Sequence, residues 1–284
     1  ELTIFDFGAV SVAYQIPVSG GLSDLLSLSD HLYENQALLQ DSRRRVADLL
    51  WSIRDAVDKP HIADFVEDYA IFEIQSATPG DPDALIADHR QMLARILRSE
   101  TGELSEQEVA EALAVRIAYS PREATIVDWN AAIVLFQSDT EDTRAVLEYA
   151  NVELLEMRNL DNQLDDVLEK HYQQFQRPER LVRFGLPSRG IRRISELQVD
   201  SAILFEGVNN ALKLVGDQYL ARLYRCAAER LHLPEWDASI IRKLETAESI
   251  YQKLTGRQST RRMEALEVIV IVLIVLEIVL AFVH

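Results

Sequence analysis

The 284-residue sequence predicts an α+β protein: a small N-terminal mixed sheet with helices, then a long antiparallel helical hairpin and a C-terminal apolar helix. Three observations predict it. Short runs rich in β-branched residues, punctuated by Gly and Pro, fill much of the first half. From Thr140 onward, apolar residues recur at helical spacing with no strand pattern. The final stretch, Leu266 to Val283, is apolar almost without interruption. The domains expected are residues 1–138, an α/β domain; 139–260, a helical hairpin domain; and 261–284, an anchor helix.

Taken in order, Leu2 to Val12 carries Ile4, Phe5, Val10 and Val12 around Gly8, which predicts one strand with a bend or bulge. Pro17 and Gly20-Gly21 end it. Leu22 to Val57 is helical in pattern, in two pieces, and Leu38, Leu39, Val46, Leu49, Leu50 and Ile53 form the stripe of the second. Pro60 breaks that pattern, and Tyr69 to Ile74 reads as a short strand. The turn Thr78-Pro-Gly-Asp-Pro82 introduces a helix from Ala84 to Leu97. Ser105 with Glu108 resembles a capping box. Arg116 to Tyr119 and Ala124 to Phe136 read as two strands around Pro121.

A long helix opens near Thr140, with Leu147, Ala150, Leu154, Met157, Leu164, Leu168 and Phe175 at coiled-coil spacing. Arg177-Pro178 ends it. A second stripe runs through Ile194, Leu197, Leu204, Val208, Ala211, Val215, Tyr219 and Leu223, and pairing of the two gives the hairpin. Pro234 stops the second helix, and a third runs from Ala238 to Leu254 with Gly256 as its C-cap.

Composition narrows function. An apolar fraction of 48% supports a substantial core, so wholesale disorder is excluded. A net charge of −17 argues against general nucleic-acid binding. Cys226 is the only cysteine, which rules out an internal disulfide, and its Ala- and Leu-rich helical setting suits a small core residue better than a reactive thiol. No signal peptide is visible, and an opening Glu1 leaves room for a removed leader.

The apolar C-terminal segment is long enough to span a bilayer, since roughly 18 helical residues rise about 27 Å. Arg257, Arg261 and Arg262 precede it and no Lys or Arg follows, so the expected topology is a single-pass C-terminal anchor with the body cytoplasmic. The competing reading is a core helix or strand. Glu267 and Glu277 lie at the edge of this segment and within it, and an ionisable group inside apolar surroundings marks a helix contact.

Catalytic motifs are missing: there is no GxxxxGK[ST], GxGxxG or GxSxG, and the histidines at 31, 61, 89, 171, 232 and 284 lack ligand spacing. No catalytic residue, metal ligand or cofactor is therefore assigned. Asp161 and Asp165 share a helix face and could hold a divalent cation, against a simpler reading as a solvated face. Arg177, Arg180, Arg183, Arg189, Arg192 and Arg193 cluster between the long helices and could clamp phosphate or an acidic partner. The alternative is pairing with nearby acidic helix faces.

Several elements resemble the DUF155 family, which includes the YagE-like proteins and the "required for meiotic nuclear division" proteins. They are Phe5-Asp-Phe-Gly-Ala-Val10, Val208-Asn-Asn-Ala-Leu212, Asp217-Gln-Tyr-Leu220, Tyr251-Gln-Lys-Leu254 and Arg262-Met-Glu-Ala-Leu-Glu267 running into Leu273-Ile-Val-Leu-Glu277. The likeness covers roughly residues 145–284, and Val268 stands where the family has tryptophan. It implies a non-enzymatic, membrane-attached homo-oligomer that scaffolds or tethers a partner such as the ribosome. The alternatives are a cation-transport protein with a CorA-like stalk, which lacks its Gly-Met-Asn motif here, and a metal-dependent hydrolase using the acidic helix.

Overall fold

Local capping sets most helix starts in the computed structural model, which describes residues 1–57, 60–75, 80–137, 139–176, 193–204, 218–250 and 252. Helix α1 (Leu22–Leu32) starts after Gly20-Gly21, where Asp24 accepts from the Gly21 backbone N–H at 2.8 Å. Helix α2 (Gln36–Ser52) is capped by Asn35, whose side chain accepts from the N–H groups of Ala37 and Leu38. Asp81 caps α3 (Pro82–Arg98) in the same way, and Pro82 sits in the first turn, where its missing N–H costs nothing. Ser105 caps α4 (Glu106–Ala112) by accepting from the Glu108 N–H at 3.2 Å.

Two sheets form. The first is a hairpin of β1 (Leu2–Ile4) and β2 (Val10–Val12), antiparallel, with Thr3 opposite Ser11. The predicted single bent strand is instead two strands, because Gly8 takes φ 102° and turns the chain back. Tyr14 then donates from its hydroxyl to Asp41 Oδ2 at 2.7 Å, fastening the hairpin to α2.

The second sheet has the order β3-β6-β5-β4, made of β3 (Ala70–Ile74), β4 (Arg116–Ile117), β5 (Ala124–Val127) and β6 (Ala131–Leu135). It is mixed: β3 and β6 are parallel, and the other pairs are antiparallel. The run expected as one strand from Ala124 to Phe136 is a hairpin, since Asp128-Trp129-Asn130 makes its turn and Asp128 N–H donates to Ala131 O at 2.9 Å. Every residue of β5 and β6 is buried. One face carries Phe72, Ala124, Ile126, Ala131, Ile133 and Leu135 against Leu26 of α1 and Ile86, Leu93, Ile96 and Leu97 of α3. Each such Leu or Ile contributes about 1.5–3 kcal/mol.

Helix α5 spans Glu141–Gln176, and residues 193–204 (α6), Gln218–Arg230 (α7) and 233–250 (α8) are also helical. The molecule is therefore α+β with eight α-helices and two small sheets among the described residues. Pro234 lies in the first turn of α8, so it opens that helix as well as following α7, whose exit runs through His232 at φ 58°. No strand occurs after Leu135 among the described residues. The loop of the expected hairpin, residues 177–192, and the middle of its second arm, residues 205–217, lie outside them.

The chain forms two compact units: Glu1–Asn159 with Ala202–Asp237, and Leu160–Ser201 with the chain from Ala238. In the first, α7 covers the sheet face opposite α3, where the Thr125 and Tyr219 hydroxyls lie 3.2 Å apart. In the second, Leu160, Leu164, Val167, Ile194, Leu197, Ile240, Leu244 and Ala247 are buried.

The expected membrane anchor is corrected. Among the described residues, no helix is long and apolar enough to cross a membrane. The segment on which the anchor was placed, residues 261–284 with Glu267 and Glu277, lies outside them. No described helix supports a tail anchor or the localisation drawn from it, and neither is retained.

Candidate functional site

A charge cluster around a buried aspartate, a partly exposed charge cluster and one buried carboxylate stand out, each built from elements far apart in sequence. The first centres on Asp128, fully buried at the β5–β6 turn. Arg98, the last residue of α3, donates from Nε to Asp128 Oδ2 at 3.0 Å. Arg230, the last residue of α7, donates from Nε to Asp128 Oδ1 at 2.6 Å. Trp129 N–H donates to the same oxygen at 2.9 Å, and the Tyr69 hydroxyl donates to the Asp128 carbonyl at 2.9 Å. Glu108 and Glu111 of α4 pair with Arg98 at the rim, and Glu111 lies 3.7 Å from Arg230. The arginines face protein carboxylates on several sides, so this node joins β3, β5, α3, α4 and α7 mechanically.

The second cluster lies within the second unit. Lys243 of α8 sets its ammonium 2.8 Å from Asp161 Oδ1 and 2.6 Å from Asp165 Oδ1. Burial alone would lower the lysine pKa, but the hydrogen bonds it donates to both carboxylates outweigh it and raise the value. The two acids read from sequence as a possible cation site thus already hold a cation of the chain's own. No group of three or more His, Cys, Asp or Glu side chains among the described residues could hold a metal ion.

The buried carboxylate is Glu153, only 2% exposed. It lies on α5 and accepts a hydrogen bond from the Tyr224 hydroxyl of α7. Burial pushes its pKa up to about 7; the Tyr224 bond lowers it somewhat, and the negative charge of Asp237 raises it again. Asp237, in the first turns of α8, has its own pKa raised by burial, and its Oδ1 is buried without a hydrogen-bond partner. The rings of Tyr224 and Tyr149 lie 6.2 Å apart, and Tyr149 also meets Phe5 and Phe7 at 6.1 and 6.4 Å. Tyr149 is pushed up to about 12 by burial, then by the charges of Glu153 and Asp6.

Glu153 was legible in sequence but missed. The buried positions of α5 include 150, 153, 157, 160, 164 and 167, alternating steps of three and four. An acid stands in that stripe at 153. The sequence reading assigned the stripe to the neighbouring Leu154, which is only half-buried.

Of the predicted arginine cluster, Arg177, Arg180, Arg183, Arg189 and Arg192 lie outside the described residues. Arg193 is described: it donates to Glu196 Oε2 at 3.4 Å and to Gln163 of α5. Cys226 is half-buried, and burial first, then the charge of Glu229, raises its thiol pKa.

Residues 1–141 match the family model described as the N-terminal domain of the uncharacterised protein MJ0711. The protein MJ0711 of Methanocaldococcus jannaschii is 28% identical over 222 residues, covering 76% of this chain and 66% of that protein. The match thus spans just under two thirds of the relative's own length. No solved structure matches. The DUF155 resemblance, over roughly residues 145–284, falls beyond the matched family model. The sheet and the Asp128 turn fall within the segment similar to the MJ0711 N-terminal domain, whereas Glu153, Tyr224 and Arg230 lie outside it.

Proposed function

We propose that this protein is a non-enzymatic, homo-oligomeric scaffold that tethers an acidic partner through the arginine-rich segment 177–193. The observation that carries this reading is how charges of the described residues are paired within the fold. Asp128 takes Arg98 and Arg230, and Asp161 with Asp165 takes Lys243. These groups fasten elements to one another, as a rigid platform requires. The six arginines of residues 177–193, of which Arg193 already pairs with Glu196, are then a concentration of positive charge in a chain of net charge −17. In this reading α5 and the helices after it form an antiparallel hairpin with the arginines at its tip. The apolar segment 266–283 supplies a seam between subunits, and Glu277 sits at that seam. The distant likeness to DUF155 proteins makes the ribosome one acidic partner to try.

The test has two parts. Light scattering on the full chain and on a chain ending at residue 262 reads the oligomer; an oligomer for the first and a monomer for the second is expected. Co-sedimentation with purified ribosomes, wild type against R177Q/R180Q/R183Q, reads the tether. A monomeric full chain refutes the scaffold, and equal sedimentation of both forms refutes the arginine tether.

A further inference from the structure

Glu153 is a buried acid that no described cation faces. Each element packed around it adds either a hydroxyl or more negative charge. Helix α7 supplies the Tyr224 hydroxyl, α8 supplies Asp237, α5 itself supplies Tyr149, and the N-terminal turn brings Asp6 toward Tyr149. The orphaned, buried Oδ1 of Asp237 marks the same shortage of donors from a second side chain. One proton on Glu153 relieves the shortage: it removes the repulsion from Asp237 and leaves the Tyr224 contact as a neutral hydrogen bond.

We infer that buried Glu153 is a proton-operated latch: protonated, it lets α7 and the start of α8 pack onto α5, and ionised, its burial beside Asp237 outweighs the Tyr224 hydrogen bond and loosens them. The sign follows from linkage. The folded acid titrates at about 7, above its ordinary value of 4.5. Its stabilising contribution is therefore full below about pH 4.5 and is lost as pH rises through about 7. The separation of the two values corresponds to up to roughly a 300-fold rise in the opening equilibrium across that window. The latch goes beyond the scaffold reading and does not depend on it.

The experiment uses the full chain. Hydrogen exchange of the peptide covering Gln218–Arg230 is measured at pH 5.5 and 8, corrected for intrinsic rate, in wild type, E153Q and D237N. Wild type should lose at least about tenfold protection at pH 8. E153Q should stay protected at both values. D237N, which removes the neighbouring charge, should move the midpoint to lower pH. If E153Q does not fold, the 13C carboxyl titration of Glu153 in wild type and D237N decides alone. A Glu153 midpoint below about 5, or equal pH dependence in wild type and E153Q, overturns the latch.

Discussion

Replacing Asp128 by Asn tests whether the charge node holds the first unit together. The amide keeps the shape and can still accept from the Trp129 N–H, but it removes a charge that two arginines share. Arg98 and Arg230 are 11% and 14% exposed, so they cannot recover full hydration. Removing one partner of a buried ion pair costs about 3–5 kcal/mol. Glu108 and Glu111 remain beside the arginines, but they are 45% and 52% exposed and compensate only partly. The lower end, about 3 kcal/mol, is therefore expected. With a urea slope of about 2–3 kcal/mol/M, the midpoint should fall by about 1–1.5 M. Urea titration followed by tryptophan fluorescence, with Trp129 beside the substituted residue, reads it, and circular dichroism checks that the transition is single. A double-mutant cycle with R230M should show coupling of about 2 kcal/mol. A loss below about 1 kcal/mol, or additivity within about 0.5 kcal/mol, would refute the node as a structural clamp.

Other substitutions probe the remaining devices. K243M leaves Asp161 and Asp165 facing each other and should cost about 1 kcal/mol by thermal unfolding. It should also create a millimolar magnesium dependence of Tm that wild type lacks; such a dependence in wild type would restore the cation reading. G8A should destabilise by about 1–2 kcal/mol purely through backbone conformation. An added Cβ there meets nothing within 4 Å, so a larger loss in chemical denaturation would mean that the turn packs against something else.

The sequence alone determined the order of most elements, because their signals are local. Asn35, Asp81 and Ser105 mark helix starts through bonds to residues two or three positions on, and periodicity exposed α5 because a buried stripe repeats every seven residues. Tertiary structure decided what those elements carry. Nothing local distinguishes Asp128 from any acid in a turn, and Arg230 reaches it from 102 positions away only because α7 lies across the sheet. The split of residues 124–136 into two strands depended on that same turn. Glu153 stood in a visible core stripe, yet its meaning came from Tyr224 and Asp237, brought there by helices that follow much later. Charge pairing acts through space at a few ångströms and is blind to sequence separation, so a chain read residue by residue reveals its helices before it reveals which of its charges are buried together.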